Sequence, residues 1–189
     1  LKSDLSISII EPSEKSLYQA AWTLVGAGAY NVDNTIKPMS KVMPSYVNWI
    51  KEHAEEFMPE SNSVKTNNGT YTYDYLIVCP GLKINLDGVA GLKENLGKNN
   101  ICTNYSAEMA TYTWECLKNL DGGTLLFTEP PMPIKCAGAP QKIAYLAADH
   151  LKKKGKLSES HLEFLCAKPV IFGVPQFQGP LNEVCDSYG

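Results

Sequence analysis

Between Thr124 and Cys166 the sequence runs strand, loop, helix, strand, and this order restricts the possible folds more than any other feature of the chain. Thr124 to Thr128 (TLLFT) follows Gly122-Gly123 and reads as a strand. Pro130-Pro131-Met132-Pro133 then forces an extended loop, because each proline fixes its own φ and steers the preceding residue away from the helical region. Gln141 to Lys154 (QKIAYLAADHLKKK) has a helical apolar period. Lys152-Lys153-Lys154 before Gly155 puts cations near the negative end of that helix and a glycine at its C-terminal cap. Leu162 to Cys166 (LEFLC) reads as the strand after it. Strands alternating with a helix of this length give the rhythm of an α/β doubly wound sheet.

Upstream, Leu5 to Ile10 (LSISII) predicts a short strand that stops at Glu11, followed by an apolar, aromatic stretch from Leu17 to Val25. Gly26-Ala27-Gly28-Ala29 comes next, with small residues that permit close packing. Tyr46 to Phe57 has apolar residues at 46, 47, 49, 50, 54 and 57, a period that predicts a helix ended by Pro59. Ser63 to Thr66 and Thr70 to Tyr73 flank Asn67-Asn68-Gly69, a hairpin signal. Tyr75 to Cys79 (YLIVC) predicts a buried strand stopped by Pro80-Gly81, and Ala107 to Leu120 predicts a helix. The Gly- and Asn-rich run from Lys83 to Asn100 reads as a connector, so a first domain is expected over 1–82 and a second over 101–189. A chain that opens on Leu1 and enters a strand almost at once reads as the middle of a longer protein.

Seventeen Lys+Arg against twenty Asp+Glu, spread without long runs, leaves a net charge of −3. That balance lacks the phosphate-neutralising surface that a nucleic-acid partner requires. No apolar stretch approaches the roughly 20 residues of a spanning helix. Six cysteines contain no CxxC pair, which disfavours a metal cluster and leaves the thiols expected to be mostly reduced.

The sharpest chemical feature is Lys135-Cys136-Ala137-Gly138-Ala139-Pro140, between the TLLFT strand and the helix after it. Strand-to-helix turns are where α/β sheets bind ligands, and the helix dipole together with Lys135 is expected to favour the Cys136 thiolate, a nucleophile. The same turn lacks GxGxxG, which disfavours a nucleotide there. Glu11, ending a β-branched strand, fits the acidic residue that binds the ribose of a dinucleotide. His53, His150 and His161 are expected at the surface.

Three segments carry a resemblance: EPSEKSLYQAAWTLVGAG (Glu11 to Gly28), YDYLIVCPGL (Tyr73 to Leu82) and PIKCAGAPQKIAYL (Pro133 to Leu146). In this order and at these distances they resemble sulfide:quinone oxidoreductases of the mitochondrial type. The resemblance implies part of the Rossmann-like, two-dinucleotide-binding-domain flavoprotein fold, with 1–82 in the FAD-binding domain and 101–189 in the second domain. It implies Cys136 as a catalytic redox cysteine, Glu11 as the ribose ligand of FAD, Gln19 as a further FAD contact and Ala54 as the position whose backbone meets adenine. The family's other essential cysteine would lie beyond Gly189. The implied reaction oxidises hydrogen sulfide to sulfane sulfur through a cysteine persulfide. Electrons pass through FAD to ubiquinone, and the sulfur passes to glutathione, sulfite or coenzyme A. The implied location is the mitochondrial inner membrane, bound peripherally through a segment not in this chain. Cys79 departs from the family pattern, and Cys102 stands where bacterial members bear a third cysteine. Rival readings are a truncated, non-catalytic homologue and an NAD(P)H-dependent flavoprotein reductase, the latter needing the glycine fingerprint that the Cys136 loop lacks.

Overall fold

A computed structural model describes residues 5–189, which form two compact units. The first comprises the residues up to Leu17 together with Ile36–Lys83. The second comprises Tyr18–Thr35 and Ile84–Gly189. The sequence suggests a boundary near residue 82. The structure puts Tyr18–Thr35 with the later part of the chain, and the Gly- and Asn-rich run belongs to the same unit, with short helical turns at Leu86–Gly88 and Leu92–Asn95.

The first unit contains seven short strands: β1 (Ser8–Ile10), β2 (Lys15–Leu17), β3 (Ile36–Pro38), β4 (Asn48–Ile50), β5 (Ala54–Met58), β6 (Ser63–Thr66) and β7 (Thr70–Thr72). β1 runs parallel to β4, with Ser8 opposite Asn48 and Ile10 opposite Ile50. β2 and β3 pair antiparallel, and β5, β6 and β7 form an antiparallel meander. The hairpin over Asn67-Asn68-Gly69 is present as β6–β7, with the Thr66 N–H donating to the Gly69 carbonyl at 2.8 Å.

Two readings of this region are corrected. The stretch 46–57 is not a helix but the two strands β4 and β5. Its apolar spacing fits a helix, yet Trp49 and Ile50 are strand-favouring residues, and each finds a partner a helix would deny it. The Trp49 Nε1–H donates to the Glu11 carbonyl at 2.8 Å, and Ile50 is buried beside β1. At the break, the His53 N–H donates to the Asn67 carboxamide at 2.8 Å. Tyr75 to Cys79 is neither a strand nor buried: Tyr75 is 92% and Ile77 87% exposed. An apolar run supplies hydrophobicity, but a strand also needs a neighbour to complete its ladder, and none stands there among the described residues.

In the second unit β8 (Gly123–Glu129) and β9 (Ser160–Cys166) pair in parallel, from Gly123 opposite Ser160 to Glu129 opposite Cys166. The Ala139–Lys154 helix crosses between them, so the predicted strand, loop, helix and strand are all present. Gly155, at φ +73°, closes the helix, and its N–H donates to the Lys152 carbonyl. Leu117 of the Ala107–Asn119 helix packs against Ile143 and Ala147, while Ala110 of the same helix packs against Trp22 and Val25. The Trp22 indole donates to Thr35 Oγ1 at 3.2 Å, which satisfies its N–H inside the core. Gly28 lies just past the Trp22–Gly26 helix at φ +72°, and a Cβ there would come within 2.5 Å of the Trp114 indole. The small residues at 26–29 therefore do permit close packing.

Candidate functional site

At the carboxyl end of β8, Glu129 is almost completely buried and pairs with Lys168 Nζ at 2.5 Å, just beyond the end of β9. A carboxylate at this depth is tolerable because a cation meets it. Its Oε2 has no partner among the described residues. The chain then runs through the proline loop to Lys135 and Cys136. Cys136 is exposed and sits at φ +62°, in the left-handed region that non-glycine residues seldom occupy. Its carbonyl accepts the Ala139 N–H at 3.0 Å, and Gly138 is the residue that caps the Ala139–Lys154 helix. Cys136 thus precedes the helix by a short turn.

Lys135 is held at both ends. Its Nζ donates to the Gln19 carboxamide oxygen, and its carbonyl accepts the Tyr105 O–H at 2.6 Å. Burial pushes the Tyr105 phenol up, and coulombic interaction with Cys136 and Glu129 adds to the shift. Buried Gln141, in the first turn of the helix, donates its side-chain N–H to the Ile171 carbonyl and ties the helix start to the segment after β9.

Cys102 and Cys116 converge on one residue. The Cys102 thiol donates to the Asn100 carbonyl at 3.5 Å and the Cys116 thiol to Asn100 Oδ1 at 3.7 Å. Burial first, and then the neighbouring Cys116 thiol, push the Cys102 thiol up to about 12. Both cysteines line an elongated, mainly apolar cavity of about 720 Å³, which also touches Tyr105 and Pro140. Cys79 is exposed in an irregular segment.

In the first unit Glu11 follows β1. Its N–H donates to the Ile50 carbonyl at 3.0 Å, and its Oε1 accepts the Ser13 N–H at 2.7 Å. Ala54 opens β5 opposite Thr66, next to a register shift before Glu56. Glu52 nearby accepts the Thr66 hydroxyl at 2.5 Å and the Tyr71 phenol at 3.0 Å. The four residues implied by the resemblance therefore divide between the units: Glu11 and Ala54 stand in the first, and Gln19 and Cys136 in the second, where Lys135 links them.

Of the histidines, His53 and His161 are exposed, and His161 Nε2–H donates to the Glu163 carboxylate at 2.9 Å. His150 is half-buried rather than exposed. Its ring meets the Trp114 ring edge-on at 5.0 Å, and its Nε2 is buried without a partner among the described residues. It follows the apolar residues of its helix by a helical repeat, and Trp114 covers it. No group of three or more His, Cys, Asp or Glu side chains able to hold a metal occurs among the described residues.

Sequence reasoning missed Tyr105, Cys116, Glu129 and Lys168. Tyr105 lies in Asn104-Tyr105-Ser106, which as a sequence signals only a glycosylation pattern, and Cys116 is one more apolar position of a helix. Neither carries a local signal of its partner.

No family model matches the chain. Curated proteins do. It is 40% identical over 100% of its length to the mitochondrial sulfide:quinone oxidoreductase of Dictyostelium discoideum, and 38% identical over 95% to that of Mus musculus. The chain is homologous to mitochondrial sulfide:quinone oxidoreductases. It spans 40 to 42% of the length of these two relatives. Its fold is also that of the sulfide:quinone oxidoreductase from the bacterium Aquifex aeolicus, with a TM-score of 0.79 at 23% identity, over 99% of this chain and 44% of that one. The α/β, Rossmann-like fold expected from the sequence is thereby shared with a solved sulfide:quinone oxidoreductase.

Proposed function

We propose that the protein oxidises hydrogen sulfide with ubiquinone as the electron acceptor, carrying the extracted sulfur as a persulfide on Cys136. The observation that carries this reading is the exposed Cys136 thiol, presented from the β8-to-helix turn of a chain homologous to sulfide:quinone oxidoreductases. Hydrosulfide attacks a disulfide between Cys136 and a second cysteine on a segment beyond Gly189. The S–S bond breaks, an S–S bond to the incoming sulfur forms on Cys136, and the second cysteine leaves as a thiolate. A small nucleophile, namely glutathione, sulfite or coenzyme A, then removes the sulfane sulfur.

The electron carrier we infer is FAD, which when bound supplies a two-electron store between thiol and quinone. The first unit fits the adenosine half of such a group. Glu11 ends a parallel strand, the edge at which α/β sheets bind ligands, and its carboxylate has acceptor capacity left beyond the bond to Ser13. The main chain at Ala54 lies at the start of β5 beside a register shift, a suitable place for backbone contact with adenine. The Gln19 carboxamide oxygen is taken by Lys135, so its N–H₂ is the group offered to the cofactor. We place the protein at the mitochondrial inner membrane, attached peripherally through a segment outside this chain.

The experiment is sulfide-driven quinone reduction, followed by absorbance alongside flavin content, in the Cys136→Ser variant. Serine cannot hold sulfane sulfur or exchange with a disulfide, so turnover should be abolished with flavin retained. Substantial turnover in that variant overturns the reading and favours a non-catalytic role for Cys136.

A further inference from the structure

Cys136 has a conformation that must be held. A non-glycine residue in the left-handed region is strained, and an exposed thiol contributes no core packing to offset this. The restraint comes from the residue before it. The Lys135 amine is tied to Gln19 and the Lys135 carbonyl to the Tyr105 phenol, so the peptide leading into Cys136 is fixed from two sides. Tyr105 is itself anchored. Its N–H donates to Thr103 Oγ1 at 3.2 Å, and the next residue, Ser106, caps the Ala107–Asn119 helix by accepting the Met109 N–H. That helix carries Ala110 and Leu117 into the core, so the phenol is mounted on one of the firmest parts of the unit.

We propose that Tyr105 is a positioning residue for the Cys136 thiol: by donating to the Lys135 carbonyl, with Gln19 on the Lys135 amine, it clamps the turn and fixes the direction in which the sulfur is presented. The inference rests on the reading of Cys136 as the sulfur carrier. A phenolate could not donate to a carbonyl, and the raised phenol keeps its proton through neutral and mildly alkaline pH. The Tyr105 phenol, committed to the Lys135 carbonyl, acts through the turn and is not itself a reacting group. Its effect is to restrict the rotations of one exposed side chain, which matters for a transfer that needs its reacting atoms aligned.

The test compares Tyr105→Phe, Gln19→Ala and Tyr112→Phe with the unaltered full-length protein. Tyr105→Phe keeps the ring and removes one hydrogen bond, so sulfide-driven kcat should fall roughly tenfold, with KM for the quinone, flavin content and unfolding midpoint unchanged. Alkylation of Cys136 by iodoacetamide in the pre-reduced protein requires exposure and no fixed direction, so its rate, referenced to exposed Cys79, should stay within about twofold. Gln19→Ala should lower kcat in the same sense and, because its N–H₂ is the group offered to the flavin, should lower flavin content as well, so the clamp is judged on Tyr105→Phe. Tyr112→Phe, which removes a phenol that accepts the Asn100 N–H, is the control and keeps wild-type turnover. Wild-type kcat in Tyr105→Phe, where Cys136→Ser is inactive, overturns the clamp and leaves the sulfur-carrier reading standing. Parallel loss of turnover, alkylation and midpoint also overturns it, since that is a fold defect. Full turnover in Cys136→Ser removes the reading on which the clamp rests.

Discussion

Two cysteines of this chain differ in what surrounds their sulfur. Cys136 stands in solvent, whereas Cys102 is half buried, shares Asn100 with Cys116 and has its thiol pushed up to about 12. Only the thiolate alkylates readily, and each pH unit below the pKa lowers its population about tenfold. Iodoacetamide at pH 8, followed by peptide mass spectrometry, should therefore label Cys136 and Cys79 long before Cys102, and the Cys102 rate should climb with pH until near 12. A Cys102 rate that levels off near pH 9 would contradict the buried, Asn100-bonded arrangement. The sign for stability follows. A pKa raised by folding means that the native state holds its proton more tightly, so this contribution is present below the unfolded value and lost as pH rises through about 12. Single residues were legible in the sequence only where their chemistry was local. The placement of Cys136 in a loop between a strand and a helix was one such case. The hydrogen bond from Tyr105, thirty residues away, follows from nothing nearby.

At the scale of elements, sequence reasoning succeeded where the partners of an element are its neighbours in the chain. β8, the Ala139–Lys154 helix and β9 are consecutive and pack on one another, so periodicity and caps described them. The stretch 46–57 failed for the opposite reason. β4 pairs with β1, some forty residues earlier, and that long-range ladder outweighs a local helical period. The small-residue turn at 26–29 shows the same dependence on a distant partner, since Trp114 occupies the space above Gly28. Gly28→Ala combines a clash with the indole and a left-handed φ, so it should lower stability by about 2–4 kcal/mol. Urea unfolding followed by tryptophan fluorescence measures this, and a midpoint within error of wild type would mean that Trp114 moves aside without cost.

Across the whole molecule, order is unevenly distributed. Leu151 and Ala147 are completely buried in the second unit, whereas the run from Tyr75 to Val78 stands in solvent and joins no ladder among the described residues. Hydrogen exchange of the 189-residue chain should show this difference. Amides of Tyr75 to Leu82 should exchange at nearly unstructured rates, and those of Phe127 and Ala147 should exchange slowest, since opening of a segment with few buried contacts costs little. Strong protection at Ile77 would mean that the segment pairs.

The division of Tyr18–Thr35 from its sequence neighbours has a consequence for synthesis. As the chain leaves the ribosome, Trp22 and Val25 emerge before residues 36–83, and Ala110, against which they pack, follows only after them. At about 5–20 residues per second, this apolar segment waits for several seconds with its partner still unmade. The cluster of Trp22 and Val25 is completed only when the Ala107–Asn119 helix arrives. A pause in translation between residues 35 and 107 therefore prolongs the interval in which a chaperone can bind Trp22 and Val25, whereas a pause after residue 120 does not.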